Sequence, residues 1–142
     1  MRSYFDEYSK SHRHPVNIVI HNICVPLIAW SVLAFMHTIS VGESLRLSHI
    51  AAALALGFYL TLGRPLMVIL ILIPAALMFL SFEYIPDLRW VAVAVFALGW
   101  IGQFYGHHIE GVRPSFFKDL LFLLIGPMWV LNKLLPGQIQ VK

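Results

Sequence analysis

VNIVIHNICVPLIAWSVLAFMHTI, residues 16 to 39, is the stretch that decides the fold. It contains no Lys, Arg, Asp or Glu. A helix of that length covers about 36 Å, enough to cross a hydrocarbon core of about 30 Å. Upstream, Tyr4, Phe5 and Tyr8 fall at helical spacing, with Asp6, Glu7 and Lys10 elsewhere on the turn. Tyr4 to His12 therefore reads as a short amphipathic helix suited to lying in a membrane interface. His14-Pro15 breaks it, because a residue before proline avoids the α region.

Downstream, three more apolar runs follow: Ile50 to Leu62, Leu66 to Phe82 with Pro74 expected to kink it, and Trp90 to Tyr105. Polar turns separate them at Gly42 to Ser48, Gly63-Arg64-Pro65 and Glu83 to Arg89. A last apolar stretch, Leu120 to Leu135, carries Gly126-Pro127 at its middle. Proline there removes a backbone donor, so the stretch is either a kinked fifth span or a re-entrant hairpin. The expected fold is an all-α polytopic helical membrane bundle. It has four spans, an N-terminal interfacial helix and that short C-terminal apolar helix, all in one integral membrane domain, residues 1–142.

Composition points the same way. Of 142 residues, 59% are hydrophobic and only 12% charged, and the mean hydropathy is +0.78. A water-soluble domain carries about twice that share of charge. The net charge of +3 is not gathered into a basic run interleaved with aromatics, which excludes nucleic acid as a partner. The single cysteine, Cys24, has no partner for an internal disulfide and reads as a small apolar residue. The polar, mixed-charge N-terminus does not resemble a cleavable signal, so the first span is expected to direct insertion. Four spans put Arg2, Lys10, Arg13, Arg64, Arg113 and Lys118 on one face, against Arg46 and Arg89 on the other. The positive-inside rule makes the first face, and the N-terminus, cytoplasmic. The membrane would be the inner or plasma membrane in a bacterium and the endoplasmic reticulum in a eukaryote.

Five of the seven histidines fall on the cytoplasmic face in that topology: His12, His14, His21, His107 and His108. Imidazole is the commonest neutral metal ligand, and a helical bundle assembles such sites from residues distant in sequence. His12, His21, His107 and His108 are the candidate metal ligands. His14, beside Pro15, reads as an interfacial residue, and His37 and His49 as loop or helix-end residues. Asn17 lies one turn before His21 and Gln103 one turn before His107, so each pair shares a helix face. Gly102 and Gly106 have the small-xxx-small spacing that lets a neighbouring helix approach closely. Glu110 is a carboxylate ligand, an acceptor orienting an imidazole, or a surface partner of Arg113. Arg113 suits a substrate carboxylate. Asn17, Glu110 and Arg113 are the candidate catalytic residues.

The blocks HRHPVNIVIHNICVP (His12 to Pro26) and QFYGHHIEGVRPSFF (Gln103 to Phe117) resemble the signature blocks of a small membrane family, the 2-hydroxy fatty acid dioxygenases of fungal phytosphingosine breakdown. The likeness extends over nearly the whole chain, through its length, the order of spans and the closing Gly-Pro segment. It implies an Fe(II)-dependent dioxygenase that shortens 2-hydroxy fatty acids by one carbon in α-oxidation, with O2 as co-substrate and histidines essential. His12, Asn17 and His21 match the first block, and Gln103, Gly106 and His107 the second. Glu110 follows His107 by three residues where the family pattern has four. Two other classes compete: a non-enzymatic membrane carrier or scaffold, and a bis-histidine haem protein using His21 and His107. The HxxxH and HxxHH boxes of di-iron hydroxylases are absent. A homo-oligomer is among the expected assemblies.

Overall fold

A computed structural model of the chain describes residues 14–61 and 65–111. Within them lie four α-helices, α1 Pro15–His37, α2 Leu47–Thr61, α3 Pro65–Phe82 and α4 Leu88–Glu110. Among the described residues the only β pairing is an isolated bridge between Ser40 and Arg46 in the α1–α2 connection. The expected interfacial helix at residues 4–12 and the apolar stretch at 120–135 lie outside the described residues.

The helix boundaries have local causes. Proline is favoured at a first helical position, where its missing N–H would be unpaired anyway. Pro15 occupies that position, and the Ile18 N–H donates to the His14 carbonyl at 3.1 Å to close the first turn. Pro26 and Pro74 sit inside α1 and α3 without ending them. α1 and α4, 23 residues each, are long and apolar enough to cross a membrane, and α2 is shorter at 15.

α4 outruns the apolar run that announced it. The helix does not stop near Tyr105 but continues through His107 and His108 to Glu110. It ends at Gly111, whose φ of 72° is open to a residue without Cβ. The Gly111 N–H donates to the His108 carbonyl at 3.2 Å. His107, His108 and Glu110 thus have directions set by a helix rather than by a loop. α2 likewise starts at Leu47, which makes the buried Ser48 a helical residue instead of part of the preceding turn.

Packing divides the chain into two compact units. Of the described residues, one takes 14–26 and 98–111, the other those within Leu27–Ala97. In the Leu27–Ala97 unit, Ala34, Phe82 and Ala92 are buried, with Trp30, Leu33, Met78, Phe79 and Leu88 packed around them. The Trp30 indole N–H donates to Ser81 Oγ at 2.8 Å, so burying that ring leaves no orphan donor. His37, the last residue of α1, bonds Ser48 Oγ through Nδ1 at 2.9 Å. Its ring meets His49 edge to face, centroids 5.5 Å apart. The His49 Nδ1 accepts the Arg46 N–H at 3.2 Å. These two imidazoles join helix ends to a turn.

Candidate functional site

In the other unit the first turns of α1 lie against the last turns of α4. The contact is close because Gly102 and Gly106 present no side chain, one helical turn apart. A Cβ on Gly106 would overlap Asn17 Oδ1 and come within 3.3 Å of Ile20 Cγ2, and one on Gly102 would overlap Cys24 Sγ. Asn17, Ile20 and Cys24 recur at the spacing of one face of α1, so the glycine ridge of α4 receives that face.

Four polar side chains are buried there: Asn17 at 0% exposure, His21 and Gln103 at 2%, and His107 at 3%. Each helix contributes a pair separated by one turn, an amide followed by an imidazole. Burying uncharged polar groups costs free energy unless they are hydrogen-bonded or serve a ligand. The His21 and His107 rings meet edge to face, with centroids 5.0 Å apart and planes at 83°.

Glu110 ties this end of the unit together. Its two carboxylate oxygens accept the His14 backbone N–H at 3.0 and 3.2 Å, and Oε2 also accepts Asn17 Nδ2–H at 2.9 Å. The first N–H groups of a helix have no intrahelical acceptor and carry the positive end of its dipole. A carboxylate placed there answers both. His14 adds a cap of its own, its Nδ1 accepting the Val16 N–H at 3.3 Å. Neither role was apparent from sequence. The signal for His14 was Pro15 at the first helical position, which makes the residue before it the capping residue. For Glu110 there was none, since its partners are 93 and 96 residues away.

The ring spacing of the imidazole pair matches that of two ligands on one metal ion. Two imidazoles bound at about 2.1 Å to a common ion, at tetrahedral or octahedral angles, have ring centroids roughly 4.5–5.2 Å apart. The observed 5.0 Å falls in that interval. Among the described residues no group of three or more His, Cys, Asp or Glu is placed to hold a metal. An ion held by this pair would need further ligands from other residues, water or substrate. The two rings are in edge contact, which leaves no gap between them for a haem macrocycle.

The remaining sequence candidates separate. His108 is exposed, about 100° around α4 from His107. His12 and Arg113 lie outside the described residues. Gln103, read in sequence as the neighbour of His107 and as part of the second block, proves to be as buried as His21.

Comparison with known proteins adds to this geometry. Residues 1–139 match the sequence model of the Mpo1-like family, described as 2-hydroxy-palmitic acid dioxygenase Mpo1-like. The chain is 30% identical over 142 residues to the 2-hydroxy-palmitic acid dioxygenase MPO1 of Saccharomyces cerevisiae, covering 95% of this chain and 79% of the yeast protein. No solved structure matches the chain.

Proposed function

The chain belongs to the Mpo1-like family, and from that premise we propose that it is an Fe(II)-dependent dioxygenase acting on 2-hydroxy fatty acids at the cytoplasmic face of a membrane. The observation that carries the reading is the His21–His107 pair, buried and 5.0 Å apart where two otherwise apolar helices meet. The yeast relative is named for a 2-hydroxy fatty acid substrate, which supports the same substrate class here.

In this proposal His21 and His107 hold the iron, joined by His12 from the N-terminal arm. A ferrous ion supplies the redox chemistry through which an organic substrate reacts with O2. The chain's own residues do the rest. Gly102 and Gly106 let the two helices close until the imidazoles meet. Glu110 holds the start of α1 and, through Asn17, sets the depth of His21. Arg113, with a guanidinium that matches a carboxylate in two bonds, anchors the substrate's acid group. The acyl tail stays in lipid, so only the first carbons need to enter the polar site.

Membrane placement rests on exposure as well as on length. Only 22% of the apolar window of α1, and the same share of α4, is buried within the chain. Soluble core helices of such composition would be covered. Apolar surface left outside calls for lipid or another apolar partner. In the proposed topology all four helices span, α2 and α3 with help from their flanking residues. The excess of Lys and Arg beside the N-terminal arm and the end of α4 puts that end in the cytoplasm.

The test is metal analysis of the detergent-purified protein, followed by oxygen uptake with a 2-hydroxy fatty acid. The reading requires bound iron and O2 consumption that depends on the 2-hydroxyl. Protein that binds no iron, or that consumes no O2 with any such substrate, would refute it.

A further inference from the structure

One buried group is explained neither by packing nor by the clamp. Gln103 is 2% exposed, and its Oε1 accepts no hydrogen bond among the described residues. A buried acceptor without a donor is costly, and in a native protein it calls for a water, an ion or a ligand. Asn17 Oδ1 also lacks a donor, but its place is taken. It fills the space that a Cβ on Gly106 would need, and the same amide's NH2 is held by Glu110. Gln103 has no such tie. It lies one turn before His107 on the same face of α4, and both side chains are buried.

We propose that Gln103 is the specificity-determining residue for the 2-hydroxyl group, its Oε1 accepting the hydroxyl hydrogen of the substrate beside the His21–His107 pair. This assignment rests on the dioxygenase reading above. An amide oxygen is a neutral acceptor with two lone pairs, able to take the hydrogen of a substrate hydroxyl. An unsubstituted fatty acid offers no donor at its second carbon and would leave Oε1 buried and unpaired. Sites built to bond a substrate hydroxyl reject the analogue lacking it for that reason.

The experiment is competition for the purified, metal-loaded protein in detergent without O2. A labelled 2-hydroxy fatty acid is displaced by the unlabelled acid or by the unsubstituted acid of equal chain length. Gln103→Met keeps the length and removes the acceptor; Gln103→Leu repeats the test, and Gln103→Glu keeps an acceptor. The wild-type protein should favour the hydroxylated acid. Gln103→Met and Gln103→Leu should shrink that preference roughly 10- to 100-fold, chiefly by weakening the hydroxylated acid, and Gln103→Glu should retain part of it. Thermal unfolding of Gln103→Met should stay at or above that of wild type. An unchanged preference, or an equal loss for both acids, would overturn the assignment while wild-type oxygen uptake left the dioxygenase reading standing. Absence of any preference in the wild type would remove both.

Discussion

Asn17 Nδ2 donates to Glu110 Oε2 at 2.9 Å, joining the first turn of α1 to the last turn of α4 across 93 residues. The same carboxylate accepts the His14 N–H, so one side chain caps a helix and holds the amide beside His21. Glu110→Ala should lower stability by about 1–3 kcal/mol, the usual cost of stranding partners of a charged acceptor. Glu110→Gln keeps one acceptor and should lose less than half as much. Thermal unfolding in detergent reads both. In the proposed metal site the carboxylate acts on the helix start and not on the ion, so Glu110→Gln should bind iron as wild type does. Loss of iron at unchanged stability would instead make Glu110 a ligand.

Gly106 and Glu110 act on the same amide. An added Cβ at Gly106 overlaps Asn17 Oδ1, the far end of a side chain that Glu110 prevents from swinging aside. Gly106→Ala should therefore cost about 1–3 kcal/mol, as overpacking does, and abolish oxygen uptake. In the Glu110→Ala background the amide is free to move, and the same substitution should cost clearly less, a coupling that a double-mutant cycle measures. Gly57→Ala is the control. Nothing lies within 4 Å of its added Cβ in α2, and helix propensity predicts a gain of about 0.5–1 kcal/mol.

His107 and His108 are adjacent in sequence and opposite in circumstance, one buried against His21 and the other exposed. His107→Ala should lower iron affinity by more than about 100-fold, since outer-shell partners of metal ligands alone are worth 10- to 100-fold. His108→Ala should leave iron content and oxygen uptake within about 2-fold of wild type, as substitutions at exposed positions away from special contacts usually do. Metal analysis of the two variants side by side decides it. Equal iron loss in both would mean that His108 turns into the site when metal binds.

How much of this was legible beforehand follows from which interactions are local. The four helices were legible because runs without charge are long, and they were placed to within a few residues. The end of α4 was not, because the apolar run stops at Tyr105 while the helix runs on through polar residues to Glu110. The pairing of Asn17 with His21 and of Gln103 with His107 follows from a spacing of four. Choosing His107 over His108 requires the phase of α4 against α1, which the Gly102–Gly106 ridge sets. The clamp at Glu110 joins atoms distant in sequence, and no local pattern encodes it.

The second imidazole pair provides the remaining test, because His37 and His49 resemble the first pair in contact but not in setting. Their centroids stand 5.5 Å apart, yet both rings pack against Phe79, and His37 Nδ1 is committed to the fully buried Ser48. The other nitrogen of His37 faces Glu83 at 3.7 Å. These bonds fasten the end of α1 to the first turn of α2, a structural role. His37→Ala strands Ser48 Oγ and opens space beside Phe82, and it should cost about 2–4 kcal/mol. Iron per folded protein should not change, which metal analysis of the fraction surviving size exclusion can establish. If iron falls by half or more there while the protein stays folded, the Leu27–Ala97 unit holds metal as well, and the division between a structural and a functional histidine pair is wrong.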